Sequence, residues 1–207
     1  MKNVMRSVVC VSVACGATGV AGAAITSVAG QGAQISPPVL ADWPVLTGPL
    51  ADAWDEQTNV TAPSGGVQVD MLVGGGFMTS GAPTGGVLTA IYDSHFVHFT
   101  AGPLGFQALG SVTFNAPIEA VIFSDLFLDL SDGIFGAGGT TYPTGQIGRG
   151  INPGSFLIAN GNVLQFDFVG IPGAIEIEQV RVLTRVPTPG AVALGALGVL
   201  TALRRKR

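Results

Sequence analysis

Short apolar runs dominate residues 65–185, and within them hydrophobic residues alternate with others at a period of two. Successive side chains of a strand point to opposite faces, so this alternation predicts strands with one buried face. Turn residues, such as Asn160-Gly161, separate the runs, which predicts an all-β domain built as an antiparallel sandwich or jelly roll. The predicted strands are 67–73, 87–92, 95–99, 112–114, 118–123, 126–130, 155–158, 163–169 and 175–183.

The segment 25–64 shows no such alternation and is predicted to be an irregular part of the body. Prolines at 37, 38, 44 and 49 interrupt it, and Pro49–Glu56 is expected to form one short helical turn. The chain has 31 glycines and 13 prolines, a composition that favours turns over long helices. A glycine-rich stretch, 132–153, is expected to form a long loop.

The body is strongly acidic. Between residues 25 and 185, three arginines stand against thirteen acidic residues, a formal charge of −10, and there is no lysine. Such a surface repels phosphate backbones, which excludes nucleic-acid binding. Arg149 and Arg181 are expected to pair with carboxylates, Arg149 in an exposed pair on the surface. Both cysteines, Cys10 and Cys15, precede the body, so it has no disulfide and no thiolate metal site.

The densest acidic cluster is Asp125, Asp129 and Asp132, with Ser131 among them. On a predicted strand, Asp125 and Asp129 share a face but lie too far apart to hold one ion. A bend after Asp132 would bring oxygen ligands together, and calcium prefers such ligands. The cluster is therefore a candidate calcium site, with a solvated strand edge as the alternative. No other cofactor is expected.

Catalytic signals are weak. Asp93 and His95 share a face of a predicted strand while His98 points to the other, so the two histidines do not chelate one ion. No G-x-S-x-G motif occurs, and acidic pairs are too many to select a glycosidase pair. The chain is therefore predicted not to be an enzyme. One alternative is a secreted carbohydrate-binding module with Tyr92, Tyr142 and the Asp125–Asp132 region as contacts, and another is a secreted hydrolase.

The amino end has the pattern of a secretory signal peptide, predicted over 1–24. Lys2 and Arg6 precede an apolar region that ends in the A-x-A pattern of residues 21–23. Cleavage is expected after Ala23 or Ala24.

The carboxyl end, 186–207, has three parts. Pro187, Thr188 and Pro189 form a spacer, and an uncharged apolar segment follows from Gly190 to Leu203. Counted from Val186 the segment approaches the roughly 17–25 residues that span a bilayer, which predicts a transmembrane helix. The basic end, which stays cytoplasmic in such an anchor, consists of Arg204, Arg205, Lys206 and Arg207.

This tail resembles the PEP-CTERM sorting signal of exported bacterial proteins, in which a Pro-Glu-Pro motif precedes a transmembrane helix and an arginine-rich end. Here Thr188 stands where that family has Glu. The resemblance implies a partner, the membrane protease-transpeptidase exosortase, at the tail. It also implies association with the inner membrane and with an exopolysaccharide matrix. The expectation is an exported cell-envelope or extracellular-matrix protein, anchored at the membrane through its tail before sorting to the cell surface or secretion.

Overall fold

A computed structural model describes residues 22–42, 49–73, 77–78, 84–174 and 176–186. Most of the predicted signal peptide and nearly all of the predicted sorting signal, residues 187–207, lie outside the described residues. Within the described ranges, no helix is both long enough and apolar enough to cross a membrane.

The described chain is predominantly β-sheet, which confirms the all-β prediction. Strand pairings are antiparallel except that of β2 with β3. The elements are β1 Ile25–Gly30, β2 Gly32–Gln34, β3 Ala51–Thr61, β4 Val67–Val69, β5 Met71–Leu72, β6 Phe77–Met78, β7 Gly86–Leu88, β8 Ile91–Ala101, β9 Gln107–Phe114, β10 Ile118–Ile122, α1 Asp125–Phe135, β11 Phe156–Asn160, β12 Val163–Val169 and β13 Glu176–Arg185.

The strands form two large sheets and a small ribbon. Sheet A has the order β1-β9-β12-β11-β6, sheet B the order β2-β3-β8-β13-β10-β5, and β4 pairs with β7. One hydrophobic cluster draws buried side chains from both large sheets. Within it, Phe168 of sheet A stacks on Phe99 of sheet B with ring centroids 5.8 Å apart. The period-two pattern thus supplies the apolar faces that the sheets bury against each other.

Sheet B is covered on its second face as well. Every side chain of β8 from Tyr92 to Ala101 is buried. A second hydrophobic cluster joins Trp54 and Phe96 of sheet B to Leu128 and Phe135 of α1. The helix therefore forms part of an outer layer over sheet B, and polar side chains on this face of the sheet must find partners inside the protein.

The predicted strand 126–130 is wrong, because these residues lie in α1. Leu128 and Phe135, seven positions apart, are buried on one helical stripe, whereas Leu126 and Leu130 are largely exposed. Apolar residues at alternate positions fit a strand, but the apolar residues that are buried, Leu128 and Phe135, are spaced with the period of a helix. Asp125 in the first turn interacts favourably with the helix dipole.

The prediction of an irregular segment over 25–64 is also wrong. It contains β1, β2 and β3, and β3 pairs along β8. Pro49 lies before β3, where it removes no ladder hydrogen bond, and the helical turn predicted for Pro49–Glu56 is strand from Ala51 onward. Since β1 and β3 pair with strands far along the chain, their partners are not visible in local sequence.

The hairpin predicted at Asn160-Gly161 is confirmed. β11 and β12 pair with Asn160 opposite Val163, so Gly161 and Asn162 form the turn. Gly161 has a φ of 58°, a conformation that glycine adopts without steric cost and that two-residue hairpins require.

Candidate functional site

The three carboxylates predicted to bind calcium lie on one face of α1. Asp125, Asp129 and Asp132 are four and three residues apart, a spacing that places them in a row along a helix. Each accepts a hydrogen bond from the segment 143–152, which we call the glycine loop. The donors are Gly148 N (2.7 Å) and Gly150 N (2.8 Å) to Asp125, Gly145 N (2.9 Å) to Asp129, and Thr144 Oγ1 (2.9 Å) to Asp132.

Arg149 of the glycine loop points into the protein and is fully buried. Its Nη1 donates to Asp129 Oδ1 at 2.7 Å and to Asp132 Oδ2 at 2.6 Å, and its Nε donates to Gln179 Oε1 at 2.8 Å. The pairing with carboxylates is confirmed, but the expected exposed pair is wrong. The loop backbone lies over α1, and that position directs the guanidinium inward, between the helix and sheet B.

Arg181 of β13 is a second buried cation in the same layer. It makes a bidentate pair with the buried Glu56, Nε to Oε2 at 2.7 Å and Nη2 to Oε1 at 2.9 Å. Nη2 also donates to Asp132 Oδ1 at 3.0 Å, so Asp132 lies between the two arginines. Burial disfavours the charged guanidinium, but the attraction of Glu56 outweighs it and raises the pKa of Arg181. The guanidinium also lies over the Phe96 ring.

Two of the predicted calcium ligands, Asp129 and Asp132, therefore already pair with buried guanidinium groups. Among the residues that the structure describes, no group of three or more His, Cys, Asp or Glu side chains is arranged to hold a metal ion. Calcium binding by Asp125, Asp129 and Asp132 stays a prediction. The hydrogen bonds that these three carboxylates accept attach the glycine loop to α1.

The two histidines point to opposite faces of β8, as predicted. His95 faces sheet A, with its ring centroid 4.6 Å from that of Phe114 on β9. Its Nδ1 lies 2.6 Å from Asp55 Oδ1 and its Nε2 lies 3.0 Å from Thr184 Oγ1, on the two strands of sheet B that flank β8. His98 faces the outer layer, with Nδ1 3.1 Å from Gln179 Nε2. Burial, and then the charge of Arg149, lowers the pKa of His98 to about 4, so this ring is neutral in the folded protein at pH 7.

Beside the glycine loop lies an open pocket of about 580 Å³, formed where three chain segments meet. Its polar lining combines two amides, which donate and accept hydrogen bonds, with two carboxylates, which accept them, and Ile147 and Ile177 supply apolar surface. The polar residues are Asp42, Gln146, Asn152 and Glu176.

The buried polar network holds these three segments in place. Gln179 Nε2 donates to Ala41 O at 2.7 Å, which fixes the backbone beside Asp42. Asn152 Nδ2 donates to Glu176 Oε2 at 2.9 Å, which joins the glycine loop to β13. These two hydrogen bonds tie the walls of the pocket to sheet B.

Glu178 follows the pocket residues Glu176 and Ile177 on β13 and is fully buried. Asn152 N donates to its Oε2 at 3.2 Å, while Oε1 has no hydrogen-bond partner among the described residues. Burial raises its pKa to about 7, against hydrogen bonds that act in the opposite direction. Sequence reasoning missed this residue. The available signal was E-I-E-Q at 176–179, a polar stretch in a strand that is otherwise apolar.

Replacing Glu178 by Gln is expected to stabilise the protein at pH 8 and not at pH 4.5. The pKa of Glu178 in the folded protein, about 7, lies above the ordinary 4.5. The contribution of this carboxyl to the free energy of unfolding is therefore fully present below pH 4.5 and is lost as pH rises through 7. The expected gain in the free energy of unfolding of Glu178→Gln at pH 8 is roughly 3 kcal/mol at most. Urea unfolding of both proteins across this range measures it, and a variant effect that does not change with pH contradicts it. The absence of a stability gain in the variant at pH 4.5 serves as the control.

The tyrosines considered as carbohydrate contacts do not line the pocket. Tyr92 is buried, and the ring of Tyr142 packs edge-on against Phe96 with centroids 5.3 Å apart. The Tyr142 hydroxyl donates to Glu56 and accepts from Ala137 N. Burial, and then the negative charge of Glu56, raises the pKa of Tyr142. Tyr92 is therefore part of the second hydrophobic cluster, and Tyr142 is partly buried against it.

Comparison with known proteins finds no matching family model, no matching curated protein and no matching solved structure.

Proposed function

We propose that the protein is an exported cell-envelope or extracellular-matrix protein without enzymatic activity. Its body is an antiparallel β-sandwich with an added outer layer, and its tail is a sorting signal of the PEP-CTERM type. The observation that carries the proposal is the position of the body. β1 begins at Ile25, directly after the predicted signal peptide, and β13 ends at Arg185, directly before the Pro187-Thr188-Pro189 spacer.

The pairing of four buried ionisable side chains supports a binding or structural role over catalysis. His95, His98, Glu56 and Asp132 all have hydrogen-bonding or ionic partners within the body. A general acid or base needs an open path to a substrate atom. Here these groups join strands and helix to one another.

Cell fractionation tests the export proposal. The full-length chain, expressed in a bacterial host that has exosortase, is expected in the envelope or the medium, without Met1. A variant that ends at Val186 is expected to be exported yet lost from the membrane fraction, because it lacks the apolar segment. A full-length chain that stays in the cytoplasm with Met1 intact contradicts the proposal.

The pocket favours a second function, the binding of a neutral polysaccharide. Amide groups of Gln146 and Asn152 match sugar hydroxyls as both donors and acceptors, and the carboxylate of Glu176 accepts from hydroxyl groups. An uncharged sugar fits best, because the formal charge of −10 between residues 25 and 185 repels uronate, sulfate and phosphate.

Replacing Gln146 by Ala is expected to weaken retention on a neutral polysaccharide about 3- to 10-fold. One hydrogen bond contributes roughly 0.5–1.5 kcal/mol, and 1.4 kcal/mol corresponds to a factor of ten in affinity. Affinity electrophoresis in gels that contain a neutral glucan or galactan measures it. Gln165→Ala is the matched control, since Gln165 is an exposed glutamine on β12. Equal retention of the wild-type protein and both variants contradicts the proposal.

A further inference from the structure

Three consecutive backbone N–H groups at the start of the body each donate to a side-chain oxygen. These N–H groups belong to the two residues before β1 and to its first residue, where the chain enters sheet A. Two of the three acceptors are carboxylates. The pairs are Ala23 N with Asp93 Oδ2, Ala24 N with Asn115 Oδ1 at 2.8 Å, and Ile25 N with Asp55 Oδ1 at 3.0 Å.

Asp93 is the buried member of this set, with none of its surface exposed. Its Oδ1 accepts from Asn59 N at 2.6 Å and its Oδ2 accepts from Ala23 N, so both oxygens are held by backbone. The ion pairs found in the described part of the chain do not include Asp93. A buried carboxylate gains most from a positive charge within contact distance.

We infer that export processing leaves Ala23 in the mature chain and places the new α-ammonium group beside the buried carboxylate of Asp93. The inference rests on the proposed export. Hydrolysis by a signal peptidase adds one water across the peptide bond before Gly22 or before Ala23. The released segment then ends in a carboxylate, and the mature chain begins with an α-ammonium at, or one residue from, the nitrogen that Asp93 already holds.

A later cut removes structure that the body uses. Ala23 is 4% exposed, so its loss would open a buried position and would leave Asp93 Oδ2 without its donor. Leaving a buried acceptor unsatisfied costs about 1–3 kcal/mol. The chain also passes tightly here, because a Cβ at Gly22 would lie 2.7 Å from Thr58 Cγ2. This placement moves the cut into the A-x-A pattern at residues 21–23. A cut before Gly22 leaves the small residues Ala21 and Gly19 as the last and third-last residues of the released segment.

Intact mass and amino-terminal sequencing of the exported full chain test the position of the cut. The expected first residue is Gly22 or Ala23. A mature chain that begins at Ala24 or Ile25 overturns the inference. A chain that is not exported contradicts the proposed function instead, and the second experiment, which needs no export, then decides the inference.

The second experiment compares chains that begin at Ala23 or at Ala24 and run to Arg207, released from an amino-terminal tag by a site-specific protease. Acetylation of the α-amino group by an amino-terminal acetyltransferase, which leaves Lys206 unmodified, removes the charge without changing a side chain. For the chain that begins at Ala23, acetylation is expected to lower Tm by about 3–6 °C, and the chain that begins at Ala24 is expected to melt lower than the free Ala23 chain.

The same acetylation in an Asp93→Asn background is expected to change Tm by less than about 1 °C, since the buried negative charge is absent. If that variant does not fold, the comparison of free and acetylated Ala23 chains decides the question alone. An unchanged Tm on acetylation of the unaltered Ala23 chain, or equal Tm values for the Ala23 and Ala24 chains, overturns the inference.

Discussion

Replacement of Arg181 by Met is expected to lower the free energy of unfolding by about 3–5 kcal/mol, the cost of breaking a buried ion pair on one side. Methionine approximates the length of the arginine stem but removes the guanidinium that pairs with Glu56. Glu56 is then left as a buried carboxylate without its cation. The same change removes a donor to Asp132 and the contact over the Phe96 ring. Urea unfolding monitored by tryptophan fluorescence measures the loss.

Arg185→Met is the matched control for this variant. Arg185 is on the same strand, but its side chain is 60% exposed and its distance to Glu119 is 3.6 Å. An exposed pair of this kind contributes about 0–1 kcal/mol. The double variant Arg181→Met, Glu56→Gln is expected to be more stable than Arg181→Met alone, because no uncompensated charge remains. Similar losses for Arg181→Met and Arg185→Met would contradict the buried network.

Replacement of Arg149 by Met is expected to cost a similar amount, about 3–5 kcal/mol, for the same reason. Its guanidinium is buried between Asp129 and Asp132 and also holds Gln179. Unlike Arg181, it belongs to the glycine loop that borders the pocket. Its loss should therefore also speed hydrogen exchange at the amides of Gly145 and Gly148, which bond the same helix face.

Coupling between the two arginines gives the sharper test. Both donate to Asp132, so the two replacements share a partner and their effects should not add. The double variant Arg149→Met, Arg181→Met is expected to differ from the sum of the single effects by at least about 0.5 kcal/mol. Strict additivity, or unchanged exchange at Gly145 and Gly148 in Arg149→Met, would contradict the arrangement.

Local sequence patterns were sufficient for much of sheet A and the centre of sheet B. The alternation in 163–169 predicted β12, and Asn160-Gly161 predicted the hairpin to β11. The helix α1 was missed because its short apolar run, Leu126 to Leu130, also fits a strand. Which leucine is buried depends on the packing of the helix against sheet B, and that contact is made by residues distant in sequence.

The same limit applied to the candidate site. Asp125, Asp129 and Asp132 stood out as an acidic cluster, and Arg149 and Arg181 were expected to pair with acids. Their partners could not be chosen from sequence, because Glu56 lies 125 residues before Arg181 and meets it only across β8, the strand between β3 and β13 in sheet B. The pocket residue Asp42 lies far along the chain from Asn152 and Glu176 and was not singled out at all.

By itself, the amino-acid sequence determined the class of fold and the sign of the charge. Period-two alternation makes strands with an apolar face. A body with three arginines and thirteen acidic residues is acidic in any conformation. Only the tertiary structure decided which polar groups are buried together. Arg181 lies in the interior because sheet B is covered on both faces, so its polar side chains lose water and must be satisfied by the helix and loop above them. Arg149 enters the same buried layer from the glycine loop, where it pairs with Asp129 and Asp132 of α1.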